Sequence, residues 1–307
     1  MKNVKNIVLK TIFCVLCLST YGCGNNDLSV SSSTSIQEGK KIDVIVIAGQ
    51  SNAVGCSSYL HFTKEERSYY AAGFENTKIR FMTDEGYNYS RKFVNVVAGQ
   101  GHEVTKFGPE LGMAEYFEDN QIYLDKQVYL IKYAVGGTAI YDRWRSPSST
   151  VFENEIGDLY IKFINYCNES LALLSKQGFN PVVRAICWMQ GESDAGNVAG
   201  QYQELENNFI NDVCDELSIY NNEDRIKFID AGISDSSAWI NYQTINDAKQ
   251  DNVRLDSENR YYIDTIKERL TYNLEPKDNP DIYHYDSRSM LKLGRLFAQT
   301  IVENEII

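Results

Sequence analysis

The sequence predicts an α/β fold in which helices cover both faces of a parallel sheet. Three observations carry the prediction. From Ile42 onward, short apolar runs alternate with longer segments of helical periodicity. Most of the runs are apolar without interruption, as in Val44-Ile-Val-Ile-Ala48, which is the pattern of strands covered on both faces. No internal repeat and no Pro/Gly-rich break divides the body, so residues 41–307 read as one domain.

The elements follow in chain order. Residues 1–22 have the layout of an export signal: Lys2 and Lys5 make a positive start, a mostly apolar run from Thr11 to Leu18 follows, and small Gly22 precedes Cys23. So short a run cannot span a bilayer. The segment resembles a bacterial lipoprotein signal cleaved before Cys23, which would carry the lipid. Thr20-Tyr21 departs from the usual pattern there, and cleavage without lipidation is the alternative. Either way the expected location is outside the cytoplasm, in a bacterial cell envelope, periplasmic or surface-exposed. Membrane contact is expected only through that anchor. Residues 23–40 are Ser-rich and form a tether.

In the body, strands are predicted over 42–48, 78–82, 127–134, 184–189, 227–232 and 260–264. Helices are predicted over 109–118, 155–177, 199–217, 239–250 and 287–302. The first opens with Pro109, whose missing N–H costs nothing in a first turn. In the last, Met290, Leu293, Phe297 and Ile301 form one apolar stripe.

Composition sets the outer limits. The 307 residues are 43% apolar and 23% charged, the balance of a folded globular chain. Against 42 acidic residues stand 30 basic ones with no Lys/Arg block, for a net charge of −12. Such a chain does not track a phosphate backbone, so nucleic acid is excluded as a partner. Cys56, Cys167, Cys187 and Cys214 match no metal spacing and are expected as buried free thiols. His61, His102 and His284 lack the paired spacing of a catalytic zinc centre, and no metal or cofactor is expected.

Ligand sites in parallel sheets gather at the carboxyl ends of strands. After the first strand comes Gly49-Gln50-Ser51-Asn52-Ala53. A serine at such a turn exposes its hydroxyl and sets its own N–H at a helix start, where the dipole favours negative charge. An ordinary N-cap serine is the plain alternative. After the third strand, Val135-Gly136-Gly137-Thr138 lets backbone approach a ligand, or makes a tight turn. After the fourth comes Trp188-Met189-Gln190-Gly191-Glu192-Ser193-Asp194. An amide and two acids are costly to bury unpaired, so they mark either a site or a solvated loop. In Asp281-Ile-Tyr-His284, the carboxylate can fold back onto Nδ1 and leave Nε2 free to take a proton. His61 and His102 read as surface residues.

Together these stretches resemble the SGNH hydrolase superfamily, and within it the sialate O-acetylesterase-like carbohydrate esterases. The motifs stand in the family's order: Gly49-Gln-Ser-Asn52, Gly108-Pro-Glu110, Ala134-Val-Gly-Gly-Thr138, Trp188-Met-Gln-Gly-Glu-Ser-Asp194 and Asp281-Ile-Tyr-His284. The resemblance implies a three-layer α/β/α sandwich with a flavodoxin-like, five-stranded parallel core. It makes Ser51 the nucleophile, His284 the general base and Asp281 its orienting acid, with Glu192 a second candidate for that acid. The oxyanion hole would comprise the Ser51 N–H, that of Gly136 or its neighbour, and the Gln190 side-chain amide. Met189 stands where several relatives carry histidine, which implies a changed pocket wall. Glu110 and Asp194 are expected to hold loops.

Asn52 and Gly137 are candidate substrate-binding residues. Trp144 is a candidate for stacking on a sugar ring, and Arg143 or Arg145 for pairing with a sugar carboxylate. The plain alternative is a loop whose aromatic packs down and whose arginines are solvated. The implied function is a serine esterase that removes O-acetyl groups from carbohydrate, either sialic acid or an acetylated plant polysaccharide such as xylan. The competing readings are a non-catalytic glycan-binding lipoprotein on a hydrolase scaffold and an esterase for non-carbohydrate acyl esters. An α/β-hydrolase is disfavoured, because Ala53 stands where Gly-x-Ser-x-Gly requires its last glycine.

Overall fold

A computed structural model describes residues 39–121, 127–149, 155–221 and 224–307. The export signal and nearly all of the tether lie outside the described residues. The chain runs β1 (Lys40–Gly49), α1 (Ser51–Val54), β2 (Ser57–Ser58), α2 (Lys64–Ala72), β3 (Phe74–Thr83), β4 (Asn88–Tyr89), β5 (Val94–Val96) and β6 (Lys106–Phe107). It continues through α3 (Pro109–Asp119), β7 (Val128–Ala134), α4 (Asp158–Lys176), β8 (Phe179–Met189), α5 (Tyr202–Leu217), β9 (Lys227–Ala231), α6 (Tyr242–Leu255), β10 (Arg260–Ile263) and α7 (Ser287–Glu303).

The main sheet has the order β10-β9-β8-β1-β7-β3, with every one of these pairs parallel. Those six strands are the six predicted from apolar runs. The parallel core is thus one strand wider than the five that the resemblance implied, because β3 pairs with β7. β4 and β5 add short antiparallel edges to β3. Helices cover the sheet, making an α/β sandwich. Every residue of β7 is buried, and Val44 to Ala48 of β1 are at most 1% exposed. That double cover is why these strands carry no polar alternation.

Sheet order also locates the site. From β1 the chain builds outward to β3 and β7 on one side, then returns to lay β8, β9 and β10 on the other. The switch of direction falls at β1, and such switch points open a crevice at the carboxyl edge.

α2 was not predicted from the sequence, because Tyr70 is its one buried residue and leaves no apolar stripe. Its signal was a capping box. Thr63 Oγ1 accepts from the Glu66 N–H at 3.2 Å, and Glu66 returns the bond to the Thr63 N–H at 2.9 Å. Packing on the opposite end of the chain depends on two glycines. α3 and α7 cross at Gly112 and Gly294, where a Cβ would lie 2.0 Å from Leu291 O and 2.1 Å from Pro109 O respectively. Gly294→Ala should therefore push the helices apart and cost about 1–3 kcal/mol or more in urea unfolding. An unchanged midpoint would show that this crossing is looser than described.

Candidate active site

Three strand ends share one level. Gly49 lies opposite Ala134 of β7 on one side and Met189 of β8 on the other. The stretches that follow, Gln50-Ser51, Val135-Gly136 and Gln190-Gly191, therefore emerge side by side. Gly49 has φ +138°, and a Cβ there would sit 2.0 Å from the Met189 carbonyl oxygen, so the position admits only glycine. The turn leads directly into α1, with Ser51 as its first residue. Among the described residues the Ser51 N–H has no acceptor, as expected for the first turn of a helix.

Ser51 opens onto a cavity of about 570 Å³. Its wall includes Gly136, Gly137, Asp281 and His284 from the predicted set, together with Gln50, Cys56, Asp84, His102, Lys106, Ser193, Trp239 and Tyr283. The expected histidine–acid pair is present. His284 Nδ1 lies 2.6 Å from Asp281 Oδ2, and the Tyr283 N–H donates to Asp281 Oδ1 at 3.0 Å. Burial opposes the Asp281 charge, but the bonds from His284 and Tyr283 outweigh it and hold the carboxyl below its ordinary value.

Asn52 ties the motifs together rather than lining the cavity. Its Nδ2 donates to Glu192 Oε1 at 2.8 Å, and its Oδ1 accepts from the Tyr285 N–H at 3.2 Å, next to His284. Glu192 is 3% exposed, and burial pushes its carboxyl up against the bond from Asn52. His284 Nδ1 bonds Asp281, while Glu192 is bonded by Asn52.

Several sequence expectations are corrected here. Gln190 is fully buried, and its amide is spent inside the protein. Nε2 donates to Thr138 O at 3.0 Å and Asp194 Oδ2 at 2.6 Å, and Oε1 accepts from Tyr202 Oη at 3.0 Å. It is a strut between strand ends, not a donor to the cavity. The Gly136 N–H is also occupied, donating to Asp84 Oδ1 at 2.7 Å. Trp144 has no accessible surface and cannot stack on a sugar. Its Nε1 donates to Thr138 Oγ1 at 2.8 Å, and its ring packs edge-on against Trp188 at 5.2 Å. Arg143 is held away from the cavity by Asp158 at 2.7 Å and Glu85 at 3.1 Å. Arg145 donates to Glu155 O at 3.0 Å and likewise does not line the cavity.

His102, read as a surface residue, has a side chain that is 45% exposed, and it also stands on the cavity wall. Its Nδ1 lies 2.5 Å from Asp84 Oδ2, and Tyr87 stacks on the ring at 4.9 Å. Asp84 had a visible signal, since it follows the carboxyl end of a predicted strand. Asp84 and Glu85 both have positive φ, at +45° and +56°. Such backbone costs roughly 1–3 kcal/mol per residue and persists only where surrounding bonds impose it. Cys56 also reaches the wall, where burial, then the Asp84 charge, push its thiol up to about 12. It stays protonated at neutral pH. Cys167, Cys187 and Cys214 are buried and free, and His61 is exposed.

Two buried struts support this surface. Asp194 accepts from the Ile140 and Tyr141 N–H groups at 2.9 and 3.0 Å, binding the loop after β7 to the end of β8. Burial nonetheless pushes its carboxyl up to about 6, with the Gln190, Ile140 and Tyr141 donors opposing. Beneath α1, Lys132 of β7 pairs with Glu110 at 2.8 Å, with both side chains fully buried. Its ammonium also donates to Val54 O at 3.1 Å and Gln100 O at 2.7 Å, holding the end of α1 and the turn before His102. Among the described residues, no group of three or more His, Cys, Asp or Glu is placed to hold a metal ion. Among them also, no helix is long and apolar enough to cross a membrane.

Comparison with known proteins bears on the reading. The family model described as "Carbohydrate esterase, sialic acid-specific acetylesterase" matches residues 41–303. No curated protein sequence matches. Among solved structures, a protein from Arabidopsis thaliana shares 18% identity at TM-score 0.59, covering 85% of this chain and 98% of its own. NanS shares 14% at TM-score 0.61, covering 87% and 98%. A carbohydrate acetylesterase from Xanthomonas citri shares 14% at TM-score 0.53, covering 84% of this chain and 55% of its own. At these identities the structures share the fold with this chain.

Lys132→Met should strand the Glu110 charge and destabilise the protein by about 3–5 kcal/mol in urea unfolding. Adding Glu110→Gln should recover much of that loss. A single variant as stable as the parent would show that the pair is dispensable.

Proposed function

The chain belongs to the carbohydrate esterase family described as sialic acid-specific acetylesterase, and on that premise we propose that it removes O-acetyl groups from a sugar by way of an acetyl-enzyme on Ser51. It is a carbohydrate O-acetylesterase. One observation carries the mechanism: Ser51, at a helix start, faces the same cavity as the His284–Asp281 pair.

Ser51 Oγ attacks the ester carbonyl carbon while His284 Nε2 takes its proton. Asp281 keeps the other proton on Nδ1, which fixes the tautomer and stabilises the imidazolium. The carbonyl oxygen becomes an oxyanion and receives the Ser51 N–H at the positive end of α1. Collapse of the tetrahedral intermediate breaks the bond to the sugar oxygen, which leaves with the proton from His284. Water, activated by the same imidazole, then releases acetate and restores the Ser51 hydroxyl.

Lys106 bears on the substrate. It lies on the cavity wall, where its charge also acts on Asp281. An ammonium on the cavity wall favours a sugar that carries a carboxylate. Sialic acid therefore stands ahead of xylan, a neutral polymer in its backbone. Acetate released from O-acetyl sialic acid and from acetylated xylan oligomers, measured side by side, ranks the two. Faster release from xylan would remove this argument.

Ser51→Ala should abolish turnover of an activated acetate ester, by about 10⁴-fold or more. Asp281→Asn should lower kcat by about 10²–10⁴-fold with little change in KM, because the imidazole loses its enforced tautomer. Activity retained in Ser51→Ala would end the proposal.

We also propose that the protein is exported and anchored by a lipid on Cys23. The mature chain should partition with membranes and lose that partitioning in Cys23→Ser. Membrane association unaffected by the substitution would sink the anchor.

A further inference from the structure

We propose that the side-chain amide of Gln50 is a catalytic hydrogen-bond donor to the oxyanion, acting beside the Ser51 N–H. The inference rests on the esterase reading above, because it adds a donor to the oxyanion which that reaction forms.

Of the expected donors, the N–H groups of Ser51 and of Gly137, the neighbour of Gly136, have no acceptor among the described residues, and both residues line the cavity. The Gly136 N–H is taken by Asp84 Oδ1 at 2.7 Å. The Gln190 amide is taken by Thr138 O and Asp194 Oδ2 at 3.0 and 2.6 Å. Asp84 also adds negative charge beside the place where an anion must form, and a Cβ on Gly136 would lie 3.4 Å from Asp84 Oδ1 and 3.6 Å from Ser51 Cβ. Beside that carboxylate, two backbone N–H groups leave room for a further donor.

Gln50 immediately precedes Ser51, lines the cavity and is 2% exposed. Its backbone is spent: the N–H donates to Met189 O at 2.9 Å, and the carbonyl accepts from the Ala53 and Val54 N–H groups at 2.8 Å each. Its side chain is held from one end only. Oε1 accepts from the Ser193 backbone N–H at 3.1 Å, with Gln190 Nε2 at 3.4 Å behind it. A backbone N–H can only donate, so the atom facing Ser193 is the oxygen, and the orientation of the amide follows from that bond. The NH₂ group therefore sits at the other end, and among the described residues it has no acceptor. A buried amide oriented by its oxygen, with its donors unspent at the cavity, is preorganised for an incoming negative oxygen. In the ground state it receives the ester carbonyl weakly, and in the tetrahedral state it meets full charge.

The test compares the full chain with Gln50→Glu, Gln50→Ala and Ser51→Ala on 4-nitrophenyl acetate. Gln50→Glu keeps an oxygen for the Ser193 N–H and removes the donor, so it separates donation from loop support. We expect kcat to fall about 10²–10³-fold in Gln50→Glu and Gln50→Ala, with KM within about threefold. Affinity for a trifluoromethyl ketone, which forms a tetrahedral adduct on serine, should weaken by the same factor as kcat/KM. Unchanged kcat in Gln50→Glu, in an assay where Ser51→Ala is inactive, overturns the role of Gln50 alone. A fall in kcat with undiminished ketone affinity overturns it too, because a residue that merely supports a loop gives that pattern. Turnover in Ser51→Ala equal to the parent overturns the esterase reading itself.

Discussion

A side chain at position 49 would collide with the Met189 carbonyl, and the arrangement of the carboxyl edge depends on the space that glycine leaves. Because β1 and β8 can approach there, the Gln50 N–H reaches Met189 O and the turn into α1 is made at once. The first N–H of α1 then points out of the sheet beside the Ser51 hydroxyl. A hydroxyl, an open N–H and a cavity wall follow from one close backbone contact. The same contact places Gln50 where Ser193 can grip its side-chain oxygen.

Behind that edge lies a layer of polar groups that water does not reach. Gln190 and Asp194 join the ends of β7 and β8, while Asn52 joins α1 to Glu192 and to the segment after His284. Lys132 and Glu110 brace α1 from below. Each buried donor or acceptor here would be expensive if left alone, so the loops are held by the cost of breaking partners apart. This is the physical role of most of the polar residues in the motifs. A smaller set faces the cavity, where two histidine–aspartate pairs flank Ser51: His284 with Asp281, and His102 with Asp84. They differ in one respect. Asp281 also holds only its own turn, whereas Asp84 also reaches the Gly136 N–H across the cavity wall.

The strands were legible because burial on both faces leaves an uninterrupted apolar run, as in 42–48 and 127–134. The turn at Ser51 and the His284–Asp281 pair were legible because both are local: one is a glycine-flanked turn, the other a contact three residues long. α2 escaped because its signal was a cap rather than a stripe. Trp144 was misjudged because an aromatic in a polar loop looks the same whether its ring faces solvent or folds onto Trp188. The place of His102 on the cavity wall was missed because nothing within a few residues of it announces Asp84.

By itself, the order of residues along the chain determined the parallel sheet, the helix start at Ser51 and the histidine–acid pair, since periodicity, glycine placement and short-range spacing act within a few residues. Tertiary structure decided which amides are spent and which are open. Gln50 and Gln190 are the same residue type at adjoining strand ends, yet one is enclosed by Thr138, Asp194 and Tyr202 while the other is held only through its oxygen. Hydrogen-bond saturation depends on partners brought from distant segments, and local sequence carries no record of them.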